Sequence, residues 1–240
     1  MTNRNTLTRR SLLVGGMAAG ACSALPAWAH EGTPFQIPYD FLPTIVRLDA
    51  DLPPGEIHVL PDQFRLYWTL TKQEAVRFTV GVGRPGLYHP GRFTVGDKRE
   101  WPSWRPTLEM IERDPEAYAK YADGMPGGLD NPLGARALYL YDDTGRDTYL
   151  RIHGTNNPRT IGTAVSNGCA RLTNEDISFW YTAVQIGSPV FLHPQGRSDA
   201  DAQLASSVLP AVDDIGLVPR EVVPSQAPPS RLPDFPRWGR

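Results

Sequence analysis

The chain has 240 residues, 24 Lys and Arg against 26 Asp and Glu, and a formal net charge of −2. That length can bury a sizeable core, and the charge balance excludes the basic stripe of a nucleic-acid surface. There are two cysteines, Cys22 and Cys169.

Residues 1–29 read as an export leader. Arg4, Arg9 and Arg10 precede the apolar run from Leu12 to Ala21, and Ala27-Trp28-Ala29 is an A-x-A cleavage site. The run is shorter than the ~20 residues a spanning helix needs, so no transmembrane span is expected in the mature chain. Thr-Arg-Arg-Ser-Leu-Leu around Arg9 and Arg10 resembles a twin-arginine signal. The alternative is a Sec signal with two adjacent arginines. Ala19-Gly20-Ala21-Cys22 is a poor lipobox, lacking Leu three residues before the Cys, so lipid anchoring at Cys22 is not expected. Cleavage after Ala29 leaves Cys169 as the sole thiol. A leftover thiol in an exported protein points to a reactive group or to intermolecular pairing.

Residues 30–54 are Pro-rich and read as an irregular lead-in. Short alternating segments then predict strands over 56–60, 64–68, 75–82 and 92–95, with Pro61-Asp62-Gln63 as a hairpin turn. Residues 84–91 and 123–134 are Gly/Pro-rich loops. Between them, Leu108 to Tyr121 accommodates one or two helical turns broken at Pro115. Strands at 137–141 and 148–152 flank the turn Asp142-Asp143-Thr144-Gly145. One helix is predicted with Thr173 as N-cap, Glu175 and Asp176 in its first turn, and Ile177, Trp180, Tyr181 and Val184 on one face. Gly187 ends it, and Val190-Phe191-Leu192 follows as a buried strand. The expected fold is mainly β, with one domain over 55–194. Residues 195–240 are a polar, then Pro-rich tail, with a helix conceivable from Ala200 to Val212.

The chemistry gathers at Ile152-His153-Gly154-Thr155 and Ser166-Asn167-Gly168-Cys169-Ala170-Arg171, with His153 sixteen residues before Cys169. A Cys in a polar Gly/Asn/Ser loop is poorly explained by packing, since packed free Cys sits in apolar surroundings. A strand end and a returning loop bring such side chains together. His153 then serves as a base that promotes the thiolate. The Ser166-Asn167-Gly168-Cys169 turn offers successive N–H groups for an oxyanion. Arg171 falls on the same side of an extended chain as Cys169, where it raises the thiolate population or holds a carboxylate. Taken alone, His153 is a hydrogen-bonded strand-end residue and Arg171 a surface ion pair. Together with Cys169 they read as a site.

No metal and no cofactor is expected. Zinc wants three or four ligands with close paired spacing, and His58, His89, His153 and His193 are scattered singly. His58 and His193 are expected at strand edges and His89 in a Gly/Pro loop. Chain order and spacing narrow the class of cysteine enzyme. Papain-like enzymes place Cys before His, and caspase-like ones place His about 50 residues upstream. Sortases share the His, Cys, Arg order, with much wider spacing.

The pattern His-Gly, a short loop, then Ser-Asn-Gly-Cys-Ala-Arg resembles the YkuD-type catalytic domain of bacterial L,D-transpeptidases. Val80-Gly81-Val82-Gly83-Arg84, the segment from Gly91 to Gly96, Trp101-Pro102-Ser103-Trp104-Arg105-Pro106 and the segment from Asp130 to Leu140 are similar to that family as well. The resemblance implies a β-sandwich-like domain with a small helical element and a flap over 97–130. It implies that Cys169 attacks the L-centre carbonyl of a peptidoglycan tetrapeptide stem and expels D-Ala. His153 is then base and later acid, oriented by the carbonyl of Gly154, and Arg171 holds the donor stem. The acyl group passes to an amine, giving a 3→3 crosslink, and carbapenems acylate Cys169. Partners are then peptidoglycan stem peptides. The acceptor is another stem, an outer-membrane protein lysine, a free D-amino acid, or water, as in an L,D-carboxypeptidase. The place of action is the periplasm. Two departures are Asn167, where the family often has His, and Tyr88-His89-Pro90-Gly91 in place of Thr-Pro-x-Gly. A different class of reading is a non-catalytic wall-binding protein that keeps the fold.

Overall fold

Short runs of β-branched and aromatic residues, broken by Gly, Pro and Asp, dictate a molecule built from many short strands. The computed structural model describes residues 35–196 and the strand 211–217. Residues 1–34, 197–210 and those after 217 lie outside the described residues, and with them the helix conceivable at 200–210.

The strands are β1 (Thr44–Leu48), β2 (Ile57–Leu60), β3 (Arg65–Thr69), β4 (Glu74–Thr79), β5 (Val82–Gly83), β6 (Gly91–Glu100), β7 (Arg136–Tyr141), β8 (Asp147–His153), β9 (Ala164–Ser166), β10 (Ala170–Arg171), β11 (Pro189–Leu192) and β12 (Ala211–Leu217). The helices are α1 (Leu108–Arg113), α2 (Pro115–Tyr118) and α3 (Asn174–Tyr181). The protein is mainly β. Ten strands form one mixed sheet in the order β10-β8-β7-β6-β11-β2-β3-β4-β1-β12, and β5 pairs with β9. β11 joins the two halves, running parallel to β2 and antiparallel to β6. The sheet doubles back on itself, because β10 also meets the segment after β4. Gly81 N donates to Arg171 O at 2.9 Å, and Arg171 N donates to Gly81 O at 2.7 Å.

Doubling back lets residues from distant strands share one core. Ile57, Leu66, Phe78, Val95, Leu138, Ile152 and Leu172 all pack into it with α3. Trp180 of α3 is fully buried, its ring centroid 5.4 Å from that of Phe78. Thr173 caps α3, its Oγ1 accepting from Asp176 N at 3.0 Å. The helix stops at Tyr181 rather than running to Gly187, because Trp180 O accepts from both Ala183 and Val184 and tightens the last turn. Val184 is still buried, on the turn that follows.

Two expectations need correction. The lead-in is not wholly irregular: Thr44–Leu48 is a strand paired with β4. Its Val46 and Leu48 cover Leu60, Tyr67 and Ala75 on the face of β2–β4 opposite the main core. Residues 211 and 212 are strand rather than helix, paired antiparallel with β1.

The segment between β6 and β7 carries α1 and α2, split at Pro115 with Asp114 capping α2. Trp104 packs against Tyr121 and Tyr118, at centroid distances of 5.6 and 6.3 Å. Asn131 Nδ2 ties the segment's base together through Pro102 O and Pro126 O.

Candidate active site

β8 and β10 run parallel, with Ile152 opposite Ala170 and His153 opposite Arg171. Cys169 immediately precedes β10, so the ladder sets it level with Arg151. Residues two apart on a strand share a face. The register therefore brings Cys169, Arg171 and His153 to one face at the edge of the sheet.

The turn before Cys169 is braced locally. Ser166 Oγ donates to Cys169 O at 2.7 Å and accepts from Gly168 N at 3.2 Å. The Gly168 N–H is thus committed to the turn, so it does not join a free row of oxyanion donors. Gly168 has φ +125°, and a Cβ there would meet Leu87 O at 2.8 Å. Gly83 allows the other side of the same close approach, since its Cβ would meet Gly168 Cα at 2.8 Å. Asn167 faces the helical segment. Its Oδ1 accepts from Arg84 and Arg113, each at 2.8 Å, and its Nδ2 donates to Tyr118 Oη at 2.9 Å.

His153 is buried, and its Nδ1–H donates to Gly154 O at 2.6 Å. That bond leaves Nε2 as the acceptor nitrogen. Gly154 is held in turn. Its N–H donates to Arg136 O at 3.0 Å, while Asn174 Oδ1 accepts from Ala135 N at 2.9 Å and from Thr155 N at 3.1 Å.

Electrostatics set the resting protonation. Burial pushes the His153 pKa down to about 3, and the charges of Arg171 and Arg151 add to this; the Gly154 and Leu133 backbones oppose it. Burial pushes the Cys169 thiol up, opposed by the Arg151 backbone and by the charges of Arg151 and Arg171. Both groups therefore rest neutral, and no hydrogen bond joins them. The expectation that His153 lowers the thiol pKa does not hold for this resting site. Desolvation disfavours both charged forms, and nearby cations favour a thiolate while disfavouring an imidazolium. The thiol instead points to Tyr149 O, 4.0 Å away.

Arg171 is not a surface ion pair. Its Nη2 donates to Thr160 O at 3.3 Å and lies over Gly81, where a Cβ would come within 2.8 Å of it. Its Nε is buried without a hydrogen-bond partner.

Several neighbours of the site carried no signal in the sequence. Tyr149 has φ +61° in a bulged stretch of β8, which aims its carbonyl at the thiol. Asn174 is the first residue of α3. Arg84, Arg113 and Tyr118 lie 83, 54 and 49 residues from Asn167.

His58 and His193 are not scattered, and His58 is not at an edge. β2 is a central strand pairing with both β11 and β3. His58 Nδ1 lies 3.2 Å from His193 Nε2, and its Nε2 lies 3.1 Å from Glu56 Oε2. Phe191 stacks on its ring at 4.7 Å. Burial lowers the His58 pKa to about 4. Among the described residues no group of three or more His, Cys, Asp or Glu converges as metal ligands would. No helix among them is long and apolar enough to cross a membrane.

The family model of the YkuD L,D-transpeptidase catalytic domain matches residues 54–192. The probable L,D-transpeptidase ErfK/SrfK of Escherichia coli K12 is 36% identical over 135 residues, covering 53% of this chain and 40% of that protein. A putative L,D-transpeptidase from the ATP synthase subunits region of Fuscovulum blasticum is 31% identical over 196 residues, covering 78% of this chain and 97% of that protein. A solved structure from Brucella melitensis, described as a probable carnitine operon oxidoreductase, is 44% identical, with 66% of this chain and 93% of that chain covered and a TM-score of 0.44. That description belongs to the Brucella protein. The chain belongs to the L,D-transpeptidase catalytic-domain family, on the domain match and the Fuscovulum relative. It spans about two fifths of the Escherichia coli relative's length.

Proposed function

We propose that the protein is a cysteine L,D-transpeptidase acting on peptidoglycan tetrapeptide stems. The observation that carries this reading is the His153–Gly154 bond. It leaves Nε2 ready to accept a proton on the sheet face that also holds Cys169 and Arg171.

The neutral resting pair suits a proton that moves only when substrate is present. Cys169 Sγ attacks the L-centre carbonyl of the stem as its proton passes to His153 Nε2. The Cys169 N–H, at the head of the turn braced by Ser166, faces the developing oxyanion. The tetrahedral intermediate collapses with cleavage of the C–N bond to D-alanine, and His153 returns the proton to the leaving amine. A thioester to Cys169 remains. An incoming amine attacks it, His153 takes the amine proton, and the C–S bond breaks to give a new amide and the thiol. With a D-centre amine of a second stem the product is a 3→3 crosslink. Arg171, over Gly81, holds the donor stem. Apo sites often lack their catalytic hydrogen bond until substrate arrives, which accommodates the absent Cys169–His153 bond.

On this reading residues 1–29 direct export to the periplasm, residues 55–194 form the catalytic domain, and a carbapenem acylates Cys169. The test is mass spectrometry of the protein with a disaccharide-tetrapeptide, beside Cys169→Ala. A dimer lacking one D-Ala, formed only with Cys169, is the expected result. Neither turnover nor a carbapenem adduct on Cys169 would overturn the reading in favour of a wall-binding protein.

A further inference from the structure

Beside the nucleophile turn, two arginines from separate segments end on one neutral oxygen. Arg84 follows β5, Arg113 is the last residue of α1, and the Nη2 of each lies 2.8 Å from Asn167 Oδ1. Tyr118 Oη takes the amide nitrogen of the same side chain, so the amide is oriented with its oxygen toward the guanidinium groups. Both arginines are exposed, and neither forms an ion pair among the described residues. Glu109, one turn earlier on α1, is the carboxylate near enough to Arg113 to feel its charge. An amide oxygen carries no net charge and cannot offset two cations. A carboxylate, with two oxygens and about four lone-pair sites, satisfies both at once.

Position identifies which carboxylate. Asn167 is two residues before Cys169, so their Cα atoms are at most ~7.6 Å apart. Arg171 is two residues after Cys169 and is already engaged with Thr160 O. Cationic groups thus stand on both sides of the thiol along the chain. In the reaction above, the amine that departs and the amine that arrives occupy the same position against the acyl carbon. D-Alanine and the D-centre of a second stem both carry a carboxylate on the carbon that bears the amine. That carboxylate lies about three covalent bonds and one hydrogen bond from the acyl carbon, a reach that the Asn167 neighbourhood matches.

We propose that Arg84 and Arg113, gathered by Asn167, form the carboxylate subsite for the amine partner, first the departing D-amino acid and then the incoming one. This rests on the transpeptidase reading and narrows it. The acceptor is selected as an amino acid with amine and carboxylate on one carbon, over a protein lysine side chain or water. The substrate carboxylate replaces Asn167 Oδ1 as the acceptor of both guanidinium groups. Binding then tightens α1 and α2 over the thioester through Arg113.

The purified chain is given the disaccharide-tetrapeptide donor with equal D-methionine and D-methioninamide, and the two exchange products are weighed by mass spectrometry. The native chain is expected to favour D-methionine about tenfold or more, the range for hydrogen bonds to a charged group. The double variant Arg84→Gln, Arg113→Gln brings the ratio near one, and the Lys variants fall between. The ratio is internal to each sample, so a partly unfolded variant does not distort it. A separate calorimetric titration of D-alanine into Cys169→Ala protein is expected to show binding that weakens at least tenfold with both arginines replaced. An unchanged ratio in the double variant, no preference in the native chain, or D-alanine binding that ignores the arginines would overturn the subsite while leaving the reaction standing. Arginine-dependent D-alanine binding without any turnover of stems would leave the subsite standing and overturn the reaction.

Discussion

His153 depends on its neighbour's backbone more than on any side chain, because its one strong bond runs to Gly154 O. That makes Gly154 a positioning residue whose missing Cβ matters. An added Cβ would collide with Asn174 Oδ1 and come within 3.2 Å of Ala135 N and Ile177 Cγ2. Asn174 bridges the N–H groups of Ala135 and Thr155 beside Gly154, so a shift of its amide loosens the carbonyl that orients the imidazole. Gly154→Ala is expected to lower kcat for D-Ala release at least tenfold and to destabilise by about 1–3 kcal/mol, the usual cost of overpacking. A variant with native kcat and native Tm would show that the loop absorbs the methyl and that the bracket is not tight. The candidate residues Cys169, His153 and Arg171 were legible in the sequence by residue type and spacing. Their protonation was not, because it depends on burial and on two cations, Arg151 and Arg171, whose placement is tertiary.

At the scale of elements, the start of α3 and the two-residue strand β10 carry the site. β10 is short, yet it lies between β8 on one side and Gly81 on the other. Two residues separate α3 from β10, and the helix presents Asn174 to the His153 loop from its first turn. Thr173 caps that turn from a buried position. Thr173→Ala is expected to cost about 1 kcal/mol of stability, with Thr173→Ser recovering most of it. Because the cap fixes where Asn174 sits, Thr173→Ala should also reduce D-Ala release more than its Tm shift explains. Thermal unfolding and kcat measured on the same samples decide this, and an unchanged Tm would remove the capping role. The cap was readable in advance, since Thr followed by Asn, Glu and Asp is a local pattern. The helix end and β1 were not. The end follows from how Trp180 O is shared, and β1 from apolar residues that need β2–β4 as a partner face.

For the whole molecule, the doubled sheet buries two neutral histidines, and acid acts on both. The unfolded chain protonates His near 6.5, whereas folded His58 and His153 do so at about 4 and about 3. Between those values the unfolded state holds more protons, so stability rises with pH across that window. It is complete above about 6.5 and declines as the pH falls toward 4 and 3, by a few kcal/mol for each group. Glu56, whose pKa burial raises from 4.5, works in the opposite direction above that value. Urea midpoints at pH 7.5, 6, 5 and 4 should fall progressively, and less steeply in His58→Gln. A flat profile would mean that the histidines are hydrated in solution.

Local information determined β2 to β4, β6 to β8, β11, the turns, the capped start of α3 and the candidate trio, because period, turn residues and cap residues act within a few positions of themselves. The family pattern at 153–171 lies in the same short range. What only the tertiary structure decided acts across longer separations. It set the parallel register of β8 with β10, the pairing of His58 with His193 across 135 residues, and the convergence of Arg84 and Arg113 on Asn167. Such contacts arise when the sheet closes over its core. The free energy behind closure is the burial of Ile57, Phe78, Leu138 and Trp180 together, and no single segment carries a local signal of it.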